Sequence, residues 1–275
     1  MSRNPLDGKT IVLMRQKNSD TESGDDVKDD ASLEGQLSAL GADILFFPTI
    51  ETSALANNIS FFFLSYLFDD FSWIFFTSKN GVRHFFETIK KYDNYPELMR
   101  KIAEKKIAVI GASTAGELKK YALTPQFIPA QSNARQFDIE FANTFLPDQN
   151  TEKEMILLLL GNLSDDTLQK TTGERAHCVR VNCYDTVIPQ EVDEHIKHKI
   201  RHREFDLLLF TSPSTFRNFI QIIGQENLNV PLKAVSIGPT TEKAMYQMGY
   251  PPLFSAASPD PKTIVSDIQK FFKSV

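Results

Sequence analysis

The chain has 275 residues, 41% apolar and 24% charged, which is ordinary for a soluble globular protein with room for two modest domains. Its formal net charge of −5 argues against a general nucleic-acid-binding protein, which would present a basic face. The longest apolar segment, 60–68, is too short to cross a bilayer, so we expect no membrane-spanning protein.

The first half of the chain alternates short apolar runs with helical patterns. Strands are predicted at 10–14, 44–47, 71–76, 107–110 and 127–128. Helices are predicted at 33–40, 82–92, 114–121 and 134–145. The acidic stretch 18–30 has almost nothing to bury and is predicted as a mobile loop, and one helix is expected between 51 and 70.

The second half restarts the same alternation after a polar break at 147–154. Strands are predicted at 155–160, 178–184, 207–210, 234–237 and near 253–254. Helices are predicted at 163–171, 191–202, 216–223, 242–248 and 264–272. Strands that alternate with helices are typical of parallel sheets, so the sequence predicts an α/β fold with two related sheets.

Two motifs occur twice, in the same order. Phe-Thr-Ser ends an apolar run at 76–78 and again at 210–212, which is 134 residues later. Ile-Gly followed by Ser/Thr occurs at 110–111 and at 237–238, which is 127 residues later. Two motifs repeated at nearly one separation indicate an internal duplication with a boundary near Gln149, and the period is far too long for a solenoid.

Serine and threonine residues stand at the ends of these repeated strands. They are Thr77, Ser78, Ser113, Thr114, Ser212, Thr240 and Thr241. The carboxyl ends of parallel strands meet at one edge of a sheet, where helix N-termini offer free N–H groups to an anion. Any one of these residues could simply cap a helix, but the whole set favours a shared anionic ligand. The phosphate-binding patterns Gly-x-x-x-x-Gly-Lys-Ser/Thr and Gly-x-Gly-x-x-Gly are missing, which disfavours a nucleotide-dependent enzyme.

Three histidines, His195, His198 and His202, have helical spacing, but lysines and arginines lie between them and would repel a cation. A solvated helix face is therefore preferred to a metal site. Tyr184 ends a predicted strand. By itself it is a boundary aromatic with its hydroxyl in water, although a phenol in a cleft can also act as a general acid.

The two cysteines, Cys178 and Cys183, are few for a chain of this length and indicate a reducing compartment. Their spacing suits neither a zinc nor a redox motif, so we expect them to fill the core. The first eight residues, 1–8, lack the apolar segment of a signal peptide. We therefore expect a cytoplasmic protein.

Taken together, these segments resemble the uroporphyrinogen-III synthase family. The similar stretches cover nearly the whole chain in the family's order, at 12–15, 47–50, 73–82, 109–115, 160–163, 181–187, 210–214, 237–241 and 257–259. The most specific are Ile-Gly-Pro-Thr-Thr at 237–241 and Tyr-Asp-Thr-Val at 184–187. The resemblance implies one domain of 1–49 with 189–275 and a second of 50–188. Two hinge strands near Pro48 and Val187 would join them, with the active site in the cleft between.

The resemblance also implies the reaction, which is the cyclisation of hydroxymethylbilane to uroporphyrinogen III in haem biosynthesis. Loss of the terminal hydroxyl gives an azafulvene, which the last pyrrole ring attacks through its substituted carbon. The resulting spiro intermediate fragments and recloses with that ring inverted. The family uses no metal or other cofactor for this chemistry.

By the same resemblance, Tyr184 matches the family's candidate acid for hydroxyl loss. The Ser/Thr set would bind the carboxylates of this linear tetrapyrrole, with Arg15, Lys79 and Asn162 as further contacts. We expect a monomer that binds no nucleic acid. The alternative is a non-catalytic two-domain protein that closes on a small polyanion, which would need the Ser/Thr groups but not Tyr184.

Overall fold

The computed structural model of the protein describes residues 4–15, 32–55, 68–146, 153–228 and 231–274. Contacts divide the chain into two compact units, unit 1 of Met1–Glu51 with Ile188–Val275 and unit 2 of Thr52–Val187. Each unit is built on a five-stranded sheet. The predicted class, α/β with two related and largely parallel sheets, is confirmed. The loop predicted at 18–30, and residues 56–67 of the predicted connection, lie outside the described residues.

The described residues form ten strands and ten helices. The strands are β1 (Thr10–Leu13), β2 (Asp43–Phe46), β3 (Glu51–Ala54), β4 (Trp73–Phe76), β5 (Lys106–Val109), β6 (Met155–Gly161), β7 (His177–Val187), β8 (Leu207–Phe210), β9 (Ala234–Ile237) and β10 (Phe254–Ala256). The helices are α1 (Leu33–Ala39), α2 (Lys79–Ile89), α3 (Tyr95–Ala103), α4 (Ala112–Lys119), α5 (Ala134–Phe145), α6 (Thr172–Arg175), α7 (Glu194–Arg201), α8 (Pro213–Ile223), α9 (Pro239–Gln247) and α10 (Pro261–Ser274).

The two sheets share one arrangement of four strands. Unit 1 has the order β10-β9-β8-β1-β2, and unit 2 has the order β3-β7-β6-β4-β5. The central order β2-β1-β8-β9 therefore corresponds to β7-β6-β4-β5, and the strands ending in Phe-Thr-Ser, β8 and β4, take the same place. At the far edge, β10 extends unit 1, whereas unit 2 has a single bridge between Phe127 and Ala108 where a strand was predicted at 127–128.

Strand β4 needs an unbroken apolar sequence because helices cover both faces of its sheet. Ile74 and Phe76 face a core cluster that includes side chains of α2, and Trp73 and Phe75 face a cluster built on α5. The centroids of the Trp73 and Phe75 rings lie 4.8 Å and 4.5 Å from that of Phe141 in α5. Such aromatic contacts add to the apolar area that these side chains bury.

Strand β8 of unit 1 repeats this division. Leu208 and Phe210 pack with side chains of α8, and Leu207 and Leu209 pack with side chains of α1 and α10. All four residues of β8 are buried, as are all four of β4. The internal duplication inferred from the sequence thus corresponds to two sheets with equivalent central strands.

Two elements were missed, and one predicted helix was wrong. Strand β3 and helix α3 were not predicted, and the helix predicted at 163–171 is a turn with a 3-10 segment at Thr167–Gln169, followed by α6. The cause lies in a distant residue. The carboxylate of Asp138, in α5, accepts the N–H groups of Thr171 at 2.8 Å and Thr172 at 2.9 Å, so the helix begins at Thr172.

Candidate active site

In unit 2 the chain leaves two adjacent strands toward opposite edges of the sheet. From β4 it continues to β5 on one side, and from β6 it continues to β7 on the other. Open α/β sheets bind ligands at the carboxyl ends of strands beside such a switch point. Ser78 follows β4 and Gly161 ends β6, so both residues lie at this place.

Tyr184 reaches the switch point because the pairing of β6 with β7 shifts at its end. Leu160 pairs with Asn182, but Gly161 pairs with Tyr184, so Cys183 is an extra residue in β7. The phenol ring lies directly against the glycine, since a Cβ on Gly161 would stand 2.6 Å from the Cζ of Tyr184. Only a residue without a side chain allows this close approach.

The hydroxyl of Tyr184 contacts the N-cap residue of the helix that follows β4. Ser78 is the N-cap of α2, and its Oγ accepts the N–H of Gly81 at 2.9 Å. The same Oγ lies 3.0 Å from the Tyr184 hydroxyl oxygen. The phenol oxygen is therefore beside a helix N-terminus, where the helix dipole favours negative charge.

His84, further along α2, stacks on the ring of Tyr184. Its ring centroid lies 5.4 Å from that of Tyr184 with an interplanar angle of 28°, and its Nε2 lies 2.9 Å from the Oγ1 of Thr52. His84 is only 6% exposed. Burial lowers its pKa, the Arg83 guanidinium lowers that pKa further, and Glu87 partly opposes both effects. The lowered pKa favours the neutral imidazole.

The turn after β6 is held in place by two polar side chains. Asn162 donates its backbone N–H to the carbonyl of Tyr184 at 3.1 Å, and its Oδ1 accepts the N–H of Thr186 at 2.9 Å. The guanidinium of Arg180, in β7, donates to the carbonyls of Gly161 at 3.3 Å and Ser164 at 2.8 Å. These bonds fix the glycine against which the Tyr184 ring rests.

The structure brings only some of the predicted site residues together. Ser78, Asn162 and Tyr184 meet at the switch point, flanked by half-buried Thr77 and exposed Lys79. Their contact with a substrate stays a prediction.

The other predicted residues are divided between helix starts in both units. Ser113 and Thr240 are exposed in the first turns of α4 and α9, whereas the neighbouring Thr114 and Thr241 are buried. These exposed and buried pairs are equivalent in the two repeats. The turn before α9 needs a glycine, because Gly238 has a φ of +81°.

Two predicted anion contacts of unit 1 already have protein partners. Ser212 caps α8 in a capping box with Thr215. Arg15 forms an ion pair with the carboxylate of Glu34. Their role toward a ligand stays a prediction.

Sequence reasoning missed three residues of the site, His84, Gly161 as the support of the ring, and Arg180. The one available signal was Arg180, a charged residue inside a predicted strand. His195, His198 and His202 are exposed at α7, in agreement with the predicted solvated face. The helices of the described residues are too short or too polar to cross a membrane.

The fold and site define a protein of two α/β units in which the hydroxyl of a largely buried tyrosine lies at a strand-end switch point. The family model described as uroporphyrinogen-III synthase HemD matches residues 31–266. The chain therefore belongs to the uroporphyrinogen-III synthase family. The resemblance drawn from its motifs, and the enzyme class that it implies, a cyclising lyase, are confirmed.

Individual relatives agree with this assignment. The chain is 27% identical to the uroporphyrinogen-III synthase of Chlorobaculum parvum, covering 78% of this chain and 83% of that one. It is 30% identical to the porphyrin biosynthesis protein HemD of Ruminiclostridium josui over 88% of this chain, but spans only 44% of that relative. The crystal structure of uroporphyrinogen-III synthetase from Helicobacter pylori matches with a TM-score of 0.59 at 16% identity, covering 96% of this chain and 99% of that one, which is a likeness of fold.

Proposed function

We propose that this chain converts hydroxymethylbilane to uroporphyrinogen III and that Tyr184 donates a proton to the hydroxyl that leaves. Membership of the family supports the reaction. The observation that carries the role of Tyr184 is the position of its hydroxyl, 3.0 Å from Ser78 at the carboxyl ends of β4 and β6. That edge is the ligand-binding edge of an open α/β sheet.

The proton balance of the reaction needs one acid. The terminal hydroxyl of the substrate leaves as water when Tyr184 protonates it, while the nitrogen lone pair of its own pyrrole forms the protonated azafulvene. The last pyrrole ring attacks through its substituted carbon, and the spiro intermediate fragments and recloses with this ring inverted. The proton that is lost when the macrocycle regains its aromatic rings returns to the Tyr184 oxygen.

Most of this reactivity belongs to the substrate, so the main task of the protein is to hold a near-attack geometry. We propose that the carboxylates of the substrate bind to helix N-termini and to the Ser/Thr groups there. The proposed contacts are Thr77, Ser113, Thr114, Ser212, Thr240 and Thr241, with Arg15, Lys79 and Asn162. Ser113 and Thr240 are exposed, so they are better placed to bind a carboxylate than their buried neighbours.

The two compact units support the proposal of two domains, 1–49 with 189–275 and 50–188, joined at the crossings near Pro48 and Val187. We also propose a cytoplasmic monomer that does not bind nucleic acid. Two unpaired thiols and a net charge of −5 support these assignments.

The test is an isomer assay. Purified protein is incubated with freshly generated hydroxymethylbilane, without added metal or nucleotide, and the type I and type III products are separated. We expect mainly the type III isomer. Type I alone, which forms spontaneously, would mean that the chain does not catalyse the reaction and would favour a binding protein for a small polyanion.

A further inference from the structure

We propose that Ser78 is a positioning residue for Tyr184, and that its hydroxyl donates to the phenol oxygen so that the phenol proton is free for the substrate. This inference rests on the proposed role of Tyr184. It replaces the carboxylate contact predicted for Ser78 with a function inside the protein. The observation behind it is the distance of 3.0 Å between the Ser78 Oγ and the Tyr184 hydroxyl oxygen.

The other hydrogen bond that Ser78 makes supports the proposed direction of its bond to Tyr184. A serine hydroxyl has one proton and two lone pairs. One lone pair accepts the Gly81 N–H at 2.9 Å, as the cap of α2 requires. Within the described residues, the phenol oxygen is the remaining acceptor for the serine proton, so we assign this proton to the bond with Tyr184. The proton of Tyr184 then points away from Ser78.

This direction also stabilises the charge that develops during the reaction. When Tyr184 gives up its proton, its oxygen becomes an anion that needs a donor. Ser78 supplies that donor, and the N-terminus of α2, a helix of 11 residues, lies directly behind it. Hydrogen bonds to charged groups are stronger than bonds between neutral groups, so the Ser78 bond strengthens as the proton leaves.

The duplicated serine shows that capping alone does not require a tyrosine. Ser212 has nearly the same backbone, with φ −156° and ψ 159° against φ −155° and ψ 153° for Ser78. It also caps its helix, but its Oγ lies 2.9 Å from the Oγ of Ser214 and 3.3 Å from that of Thr215. The contact with Tyr184 is therefore a separate feature of Ser78.

The experiment is a double-mutant cycle of Ser78→Ala and Tyr184→Phe, with kcat and KM for type III synthesis. We expect Ser78→Ala to lower kcat about tenfold with little change in KM, because one hydrogen bond to a developing charge is lost. In the Tyr184→Phe background the same change should have no further effect on kcat. Ser78→Thr, which keeps a capping hydroxyl, should restore the rate. Effects that multiply would overturn the proposal, because they would show that Ser78 acts without Tyr184.

A second variant distinguishes this proposal from a simple loss of the helix cap. A second readout makes the test independent of the proposed function. Ser78→Gly removes the hydroxyl but weakens an N-cap much less than alanine does, and it should match Ser78→Ala in kcat. In protein labelled with ¹³Cζ-tyrosine, the Tyr184 signal, assigned by its loss in Tyr184→Phe, should shift in Ser78→Gly and stay in place in Ser212→Gly. An unmoved Tyr184 signal would overturn the proposal for Ser78, whether or not the chain makes the type III isomer. Absence of the type III isomer by itself would contradict only the proposed function.

Discussion

Gly161 and Tyr184 are so close that a Cβ on the glycine would stand 2.6 Å from the Cζ and 2.8 Å from the hydroxyl oxygen of the phenol. Both residues belong to paired strands that cannot separate without breaking the sheet. We therefore predict that Gly161→Ala displaces the Tyr184 ring and costs about 1–3 kcal/mol of stability, as is typical of overpacking. Its type III activity should fall at least as far as that of Tyr184→Phe.

The matched control is Gly116→Ala in α4, where an added Cβ meets no atom within 4 Å. This change should raise stability by roughly 0.5–1 kcal/mol, because alanine is the better helix former. Denaturant unfolding of both variants measures the difference. A Gly161→Ala variant as stable and active as the unchanged chain would contradict the close approach.

Tyr184→Phe should lower kcat by no more than about 100-fold, the lower end of the contribution of a general acid. The leaving hydroxyl is activated by its own pyrrole, and water can also protonate it, so measurable type III synthesis should remain with KM little changed. Steady-state kinetics with isomer separation checks this. Tyr246→Phe, at a tyrosine that is 59% exposed on α9, is the control and should keep full activity. Full activity in a folded Tyr184→Phe variant would remove the acid role.

Stability should depend on pH through His84. Its pKa is lowered in the folded protein by burial and by Arg83, so in the unfolded chain it binds its proton at higher pH. The unfolded state therefore holds more protons in this window, and stability is lost as the pH falls below about 6.5, the ordinary pKa of histidine.

The check on His84 is thermal unfolding between pH 7.5 and pH 5.5 in parallel with His84→Gln. Glutamine can still reach the Oγ1 of Thr52 but does not titrate in this range. The unchanged chain should lose more stability toward pH 5.5 than the variant does. Equal losses would show that other groups cause the acid sensitivity.

Thr240→Val should raise KM several-fold and change kcat little. The variant removes an exposed hydroxyl from the first turn of α9 while the backbone N–H groups of that turn remain. Thr144→Val is the control, because Thr144 is an exposed threonine whose Oγ1 bonds to the carbonyl of Glu140 in its own helix. If both variants had the KM of the unchanged chain, Thr240 would have no part in carboxylate binding.

Both thiols should react slowly in the folded protein. Burial raises the pKa of Cys178 to about 11 and raises that of Cys183, which is fully buried, above its usual range. Thiolate is the reactive form, so little of either is available at pH 8. A chromogenic disulfide reagent should count two thiols after denaturation and react with them only slowly before it. Rapid labelling of one native thiol, assigned with Cys178→Ser, would contradict their assignment to the core.

The sequence predicted well those elements whose cause is local. The apolar runs of β4, β6 and β8 are buried on both faces, and Ser78 and Ser212 cap the helices that follow β4 and β8. Local patterns could not reveal where distant groups intervene. The N–H groups of Thr171 and Thr172 bond to Asp138, so a helix predicted at 163–171 became a turn.

The candidate site was predictable only as a set of residues at strand ends. Tyr184 came from the resemblance, and neither its contact with Ser78 nor the shift in pairing at Gly161 has a signature in the local pattern. His84 is one more residue of an amphipathic helix until α2 is placed beside β7. The arrangement of Ser78, His84 and Gly161 around the phenol depends on tertiary structure, since the serine and the tyrosine are 106 positions apart.

The shared order of the central strands has a consequence for how the repeats are used. In sequence, one repeat runs through β1, β2, β4 and β5, and the next runs through β6, β7, β8 and β9. In the folded chain, β1 and β2 join β8 and β9, whereas β6 and β7 join β4 and β5. Each sheet is thus a hybrid that takes two of these four strands from each repeat. The arrangement is a domain swap completed within one polypeptide, so neither repeat contains both halves of either sheet.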